Sequence, residues 1–557
     1  MPIQSRWSVP LPEVSVQKWL FGSPSGPLPD SPAFIDPDQP DRFLSLAGLR
    51  LWAKKIALGL RNQGLRPGDR VLCFSGNGIF YPACLLGIIM AGGIFTGASP
   101  AFTPRELGLQ YKDSSPAFVV IAPSLLDVAV AAAEQVGMAK SRLLVFDMVA
   151  ASELKPNSPG IRAMNTLLAS DADAEGFDWI EPEDVRNATC ALNYSSGTTG
   201  VPKGVEITHF AYVANGEAFR EISRLGRGPN PSIRCLCLLP MYHAAAQTTY
   251  AVNAVAYRFP TYIMPAFNFE QMLQHVEKYG ITDMVVAPPI VQALATSPLS
   301  KKYDLSTVKE LRCGTAPLAP DVGTKVANLW PAGGVFVQQS WGMTEFTCLA
   351  TTTSPEATEA TGSVGEIMPN VTVKLMDGNT EVTRPDDRGE LWLSGPTLMK
   401  GYWQNPEATR NSIVVENGVR WLRTGDVGYL DTDKPGAQIF VVDRIKELIK
   451  VKGFQVAPAE VEAVLLELKG IVDAGVVGVT IDGKEMPRAY LVKAPGSHLR
   501  EEDVNKWVEG KLAKYKWLTG GVKFVDGLPR IPSGKILRRV LRETARKEVG
   551  TLSAKLS

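Results

Sequence analysis

The chain has 557 residues, 45% of them hydrophobic and 21% charged, with a formal net charge of +1. That length exceeds what a single hydrophobic core organises, so a large unit and at least one smaller one are expected. The near-zero charge removes any electrostatic reason to expect nucleic acid or an anionic membrane as the main partner.

In chain order, the N-terminus runs into prolines and acids and shows no apolar signal core, so no secretory leader is expected. Positions 43–64 read as a helix that stops at glycine, and 70–74 as a short strand after a Pro-Gly-Asp turn. The apolar run 79–95 is broken by Pro82 and by glycines. It reads as a buried helix over 79–92 rather than a membrane span. Another strand, 118–121, ends before Pro123, and short apolar strands followed by helices recur at 233–239, 283–287 and 334–338. Such alternation predicts an α/β fold, mainly parallel sheets flanked by helices. From 363 to 442 the pattern changes to short strands at 371–376, 389–394 and 438–442 with turns between them, which predicts a small β-barrel or twisted sheet. A compact α+β region follows to about 540, and the basic tail beyond it is expected to be disordered. The predicted division is an N-terminal unit, 1–442, and a small C-terminal unit, 443–557. The last residues, Ala-Lys-Leu-Ser557, end one position past a peroxisome-like tripeptide, so the cytoplasm is the expected location and the peroxisome the alternative.

The seven cysteines are scattered, and the four histidines give Cys235-x-Cys237 no zinc-binding spacing. Reduced thiols are expected. The most informative segment is Ser195-Ser-Gly-Thr-Thr-Gly-Val-Pro-Lys-Gly204. Hydroxyls and glycine-freed backbone N–H groups supply donors to phosphate oxygens, and Lys203 adds a full charge. It is not a Walker A loop, because Pro202 stands where G-x-x-x-x-G-K requires glycine. Further segments join it: Gln339-Ser-Trp-Gly-Met-Thr-Glu345, Trp421-Leu-Arg-Thr-Gly-Asp426, the basic run from Asp443 to Gln455, Pro458-Ala-Glu-Val-Glu462, and Leu528-Pro-Arg-Ile-Pro-Ser-Gly-Lys535.

In this order the segments resemble the adenylate-forming superfamily of acyl- and aryl-CoA synthetases, luciferases and nonribosomal-peptide adenylation domains. The resemblance covers nearly the whole chain and is strongest to 4-coumarate–CoA ligases and their fungal relatives, through Lys446-Glu-Leu-Ile-Lys and Gly453-Phe-Gln-Val-Ala-Pro-Ala-Glu. It implies an AMP-forming ligase using ATP, Mg²⁺ and coenzyme A. A carboxylate attacks the α-phosphate to give acyl-AMP and pyrophosphate, and a thiol then displaces AMP.

By position, the resemblance implies phosphate binding by Ser195, Ser196, Gly197, Thr198, Thr199, Gly200 and Lys203. Thr344 meets the α-phosphate, Glu345 holds Mg²⁺, and Gln339 and Ser340 frame the adenine. Asp426 and Arg444 hold the ribose, and Lys535 is the cation bridging carboxylate and α-phosphate. His243 is implied as a gate beside an acyl pocket that also includes Ala245, Thr249, Thr315, Ala316, Trp341 and Gly342. Lys450 and Gln455 serve the second step, Lys452 and Gly453 contact coenzyme A, and Asp443 is the hinge on which the small unit rotates between steps.

Two departures bear on the substrate. Ser340-Trp341 replaces the Gly-Tyr usual in plant coumarate ligases, and Ala244-Ala245-Ala246 replaces larger side chains after His243. A widened channel predicts a bulkier or longer acid, aromatic or medium-chain. No carboxylate lies between Leu238 and Asn253, which disfavours an amino-acid substrate. Two alternatives stand beside the CoA ligase: an acyl-AMP ligase of secondary metabolism that loads a carrier protein in trans, and a non-catalytic acyl- or nucleotide-binding scaffold. The expected partner is a small carboxylic acid, with no nucleic acid and no membrane span.

Overall fold

The computed structural model describes residues 2–154, 159–195, 202–229, 231–314, 318, 320–330, 335–451, 454–481, 484–530 and 534–556. Among these, two seven-stranded sheets of mainly parallel strands carry the large core. In the first, Arg70–Phe74 runs parallel to both Ile94–Ala98 and Phe118–Ile121, and Thr189–Ser195 extends the sheet beyond Ile94–Ala98. Lys203–Thr208 folds back antiparallel on Thr189–Ser195, register Lys203 opposite Ser195, so both ends of the phosphate-type loop are pinned to one edge. In the second sheet Val337–Gln339, Glu310–Cys313, Asp283–Val286 and Cys235–Cys237 lie side by side and parallel.

Helices form where the sequence supplies starts and apolar faces. Ser45 caps Leu46–Asn62 by accepting from the Gly48 N–H, and Thr208 caps His209–Arg227 by accepting from Ala211. Every residue of the helix Tyr81–Met90 is buried, so the apolar run belongs to the α/β interior. No helix of the described residues is long and apolar enough to cross a membrane. All seven cysteines are free thiols.

The third seven-stranded sheet is antiparallel, built on Thr372–Asp377, Gly389–Ser394, Val419–Leu430 and Ile439–Arg444. Among the described residues its hydrogen-bonded strand order is an open path. A separate apolar cluster begins at Ile449 and includes Val461, Val476 and Leu491. Here Ile471–Ile481 and Lys484–Lys493 form a hairpin, with Val522–Phe524 parallel beside it.

The expectation of a disordered tail is wrong. Arg538–Leu556 is a helix. Leu541 and Ala545 are buried against Val477, Val479 and Tyr490, and Glu548 accepts from Arg488 and Tyr490 at 2.8 and 3.0 Å. Its many charges hid an apolar stripe that the hairpin covers. The helical reading of 43–64 also shifts, because Phe43–Ser45 is a strand and the helix begins at Leu46.

Candidate functional site

A cavity of roughly 970 Å³ opens where the C-terminal ends of the parallel strands meet the antiparallel sheet and the 535 turn. This is the crevice that parallel α/β sheets leave for ligands. It is one chamber, lined by Lys203, Thr344, Glu345, Arg444 and Lys535 and also by residues after His243.

Glu345 sits in a one-turn helix, Thr344–Phe346. The preceding Gly342 has no room for a side chain: a Cβ there would lie 1.6 Å from the Cys348 carbonyl oxygen. The Glu345 carboxylate accepts from the Tyr402 hydroxyl at 2.9 Å, and Lys203 Nζ lies 5.0 Å above the Tyr402 ring. The backbone fixes this trio. Met399 N–H donates to the Glu345 carbonyl, and Lys400 and Trp403 hydrogen-bond along the strand that carries Lys203. Burial and the neighbouring carboxylate push the Tyr402 phenol well up, so it stays a donor. The sequence reading missed Tyr402, since neither periodicity nor charge distinguishes it within Gly401-Tyr402-Trp403. Only the long-range ladder reveals it.

Asp426 and Arg444 are directly opposite in register and pair at 3.0 Å. The second oxygen of Asp426 accepts from the Trp341 indole N–H at 2.9 Å. Trp341 was expected as a pocket wall, and its indole edge also fastens the acid. Lys535 follows Gly534, which holds a φ of 85° and packs so closely that a Cβ would meet Pro289 and Ala287 at 3.0 and 3.1 Å. That contact seats the turn on the large unit, with Lys535 lining the chamber. Burial, then the Arg444 guanidinium, pushes the Lys535 ammonium down to about 8, with Asp426 and Glu447 pulling the other way.

Ser195 Oγ is buried and unpaired among the described residues, a hydroxyl left for a ligand oxygen. Ser196, Gly197, Thr198, Thr199, Gly200, Thr315, Ala316, Lys452 and Gly453 lie outside the described residues, as does the side chain of Gln455. Gln339 lines a neighbouring cleft of roughly 500 Å³ with Arg6 and Glu366 rather than the main chamber, whereas Ser340 lines the chamber itself. Lys450 is exposed on the strand Ile449–Val451 and is not among the chamber-lining residues.

Asp443 is buried, accepting from the Arg444 N–H at 2.7 Å and from the Ala459 N–H at 3.0 Å. It therefore joins the end of the large unit's last strand to the helix Pro458–Leu466. His243, Ala245, Thr249, Trp341 and Gly342 also line the chamber. The His243 Nε2 is buried without a partner among the described residues, and burial pushes its imidazole down to about 4. The ring is neutral at physiological pH.

Residues 26–403 match the AMP-binding enzyme family, and 460–535 match that family's C-terminal domain. The chain belongs to the AMP-binding enzyme family. The C-terminal match ends on Lys535. Over 550 residues the chain is 36% identical to phenylacetyl-CoA ligase epaB of Aspergillus niger, covering 98% of this chain and 99% of that one. It is 33% identical over 516 residues to 4-coumarate–CoA ligase 4 of Arabidopsis thaliana, covering 90% and 86%. The solved structure of ATP-bound MatB from Rhodopseudomonas palustris superposes with a TM-score of 0.81 at 26% identity, covering 96% and 99%.

Proposed function

We propose that this protein activates a carboxylic acid as its acyl-adenylate in the chamber and passes the acyl group to coenzyme A. It is an AMP-forming acid–CoA ligase. The observation that carries the residue roles is the convergence of Lys535, Arg444, Lys203 and Glu345, from distant segments, on one chamber, with Asp426 paired to Arg444 behind its wall.

In the first step a carboxylate oxygen bonds to the α-phosphorus, and the bond to the β-phosphate oxygen breaks to release pyrophosphate. Two anions must meet while charge builds on phosphoryl oxygens, so the stabilisation is electrostatic. Lys535 supplies the cation between carboxylate and α-phosphate, and Lys203 with Ser195 faces the leaving phosphates. Asp426, steadied by Trp341 and Arg444, accepts from the ribose hydroxyls. Glu345 presents one hard carboxylate oxygen beside the one that Tyr402 occupies. Together with Thr344 this suits Mg²⁺, which takes one or two protein carboxylates plus phosphate oxygens. When bound, Mg²⁺ neutralises phosphate charge.

In the second step the thiol sulfur attacks the acyl carbon and AMP leaves, the mixed-anhydride bond breaking as the thioester forms. Rotation about Asp443 withdraws Lys535 and brings the segment from Lys450 to Gln455 to the chamber, with His243 guarding the thiol's approach. The exposure of Lys450 in the present pose supports this division. The small side chains of 244–246 and the chamber's size support an aromatic or medium-chain acid.

Pyrophosphate release across such acids, with and without coenzyme A, tests the reading. Acid-dependent pyrophosphate and accumulation of acyl-CoA are expected. Thioester formed only on a carrier protein overturns the choice of acceptor, and no acid-dependent release overturns the activity.

A further inference from the structure

The strand Val337–Gln339 stops just short of Trp341, and the Ser340 N–H makes its last backbone bond to the neighbouring strand, at 3.0 Å to the Cys313 carbonyl. Past that point the N–H and carbonyl of Trp341 need partners outside the sheet. Thr351 meets both. Its Oγ1 accepts from the Trp341 N–H at 3.0 Å, and its own N–H donates to the Trp341 carbonyl at 3.0 Å. The tight turn at Gly342, where no Cβ fits against Cys348 and Leu349, returns the chain to Trp341's side.

The same hydroxyl reaches a second segment. It donates to the Val364 carbonyl at 2.6 Å, and the Val364 N–H donates to the Ile439 carbonyl at 2.8 Å. Ile439 opens the strand Ile439–Arg444, which sets Arg444 opposite Asp426. A hydroxyl has one hydrogen to give and lone pairs to receive with, and here both capacities are used. Thr351 is 0% exposed, so bulk water does not stand in for either bond. Its two-residue strand is paired with Glu366–Ile367, and Arg6 fastens Glu366 at 2.8 Å.

The two branches meet again at Asp426. Through Trp341, the indole N–H reaches one carboxylate oxygen at 2.9 Å. Through Val364 and the strand, the Arg444 guanidinium reaches the other oxygen at 3.0 Å. Each oxygen therefore has a fixed partner, and Thr351 ties the two partners together from behind. Thr351 itself is not among the chamber-lining residues, so its effect on a bound nucleotide passes through these neighbours.

We propose that Thr351 is a positioning residue for the nucleotide: its hydroxyl holds Trp341 and, through it, aims the Asp426 carboxylate at the ribose. This rests on the ribose role given to Asp426 above and adds the group that orients it.

The test measures acid-dependent pyrophosphate release with ATP, 2′-deoxy-ATP and 3′-deoxy-ATP. The unmodified enzyme should favour ATP over at least one deoxy analogue by about tenfold or more in kcat/KM, since a site built to pair a hydroxyl rejects the analogue lacking it. Thr351→Val, nearly isosteric but without the hydroxyl, should lower that preference several-fold through KM for ATP, with the acid's KM unchanged. Thr351→Ser, which keeps the hydroxyl, should retain it. Thr351→Cys, whose thiol is a weak donor and acceptor, should show an intermediate loss and covers the case in which Thr351→Val fails to fold. A loss of packing alone would weaken all three nucleotides alike and leave the preference standing. That result overturns the proposal, as does a Thr351→Ser variant that loses as much preference as Thr351→Val. An unmodified enzyme indifferent to both ribose hydroxyls overturns the role of Asp426, and this inference with it, whereas a clear preference untouched in the Thr351 variants overturns this inference alone.

Discussion

At the end of the chamber assigned to nucleotide, Glu345, Tyr402 and Lys203 hold one another, and Asp426 takes both Trp341 and Arg444. At the end assigned to the acid, Thr248 and Asn253 keep oxygens unpaired among the described residues, and Arg312 touches Glu310 and a ring face. The first end is pre-paired, so its groups stand in position before any ligand arrives, as electrostatic stabilisation requires. The second leaves donors and acceptors unsatisfied, which suits discrimination, because a ligand that fails to pair them is penalised. On the proposed roles, one chamber divides chemistry and selection between different residues.

Changes at the pre-paired end should have the larger effects. Gly342→Ala forces a methyl into the Cys348 carbonyl and should remove acyl-adenylate formation, with a lowered melting temperature in a thermal scan. A normal rate would break the claim that this turn fixes Thr344 and Glu345. Lys535→Ala should slow acyl-adenylate formation by a hundredfold or more, roughly 3 kcal/mol, yet still convert supplied acyl-AMP to thioester. Equal loss in both half-reactions would refute the rotation about Asp443.

The pH dependence follows from the same lysine. It carries its charge below about pH 8 in the ligand-free chamber, so kcat/KM for adenylation should be full below that value and fall about tenfold per pH unit above it. In Lys535→Arg that alkaline limb should vanish, since guanidinium stays charged. Trp341→Phe removes one hydrogen bond to a carboxylate, about 1.5–3 kcal/mol, and should raise KM for ATP by tenfold or more with the acid's KM unchanged. A shift in the acid's KM alone would return Trp341 to the pocket wall. Smallest of all, Ala245→Tyr should leave ATP kinetics alone and narrow acceptance toward small acids by several-fold, read from a substrate panel.

The two ends also differ in how far they can be read from the chain. Lys203, Thr344, Glu345, Asp426 and Lys535 each sit in a short segment whose glycines, hydroxyls and charges signal a tight turn, so local chemistry marks them. Tyr402, Thr248, Asn253 and Arg312 sit in segments that read as ordinary coil, helix and strand. The tail shows the same divide. Its charges suggest disorder, but Leu541 and Ala545 find a hairpin to cover, and no local pattern displays that surface.

By itself the sequence determined the alternation that yields parallel sheets, the change to short antiparallel strands after 363, and the segments that build the reactive end. These are encoded over a few residues, through side-chain period and turn chemistry. Only the tertiary structure decided that Tyr402 meets Glu345 across 57 residues, that Trp341 reaches Asp426 across 85, and that Thr248, Asn253 and Arg312 line the same chamber. Such contacts depend on which sheet edge and which helix face come together, and that is set by the packing of the whole core.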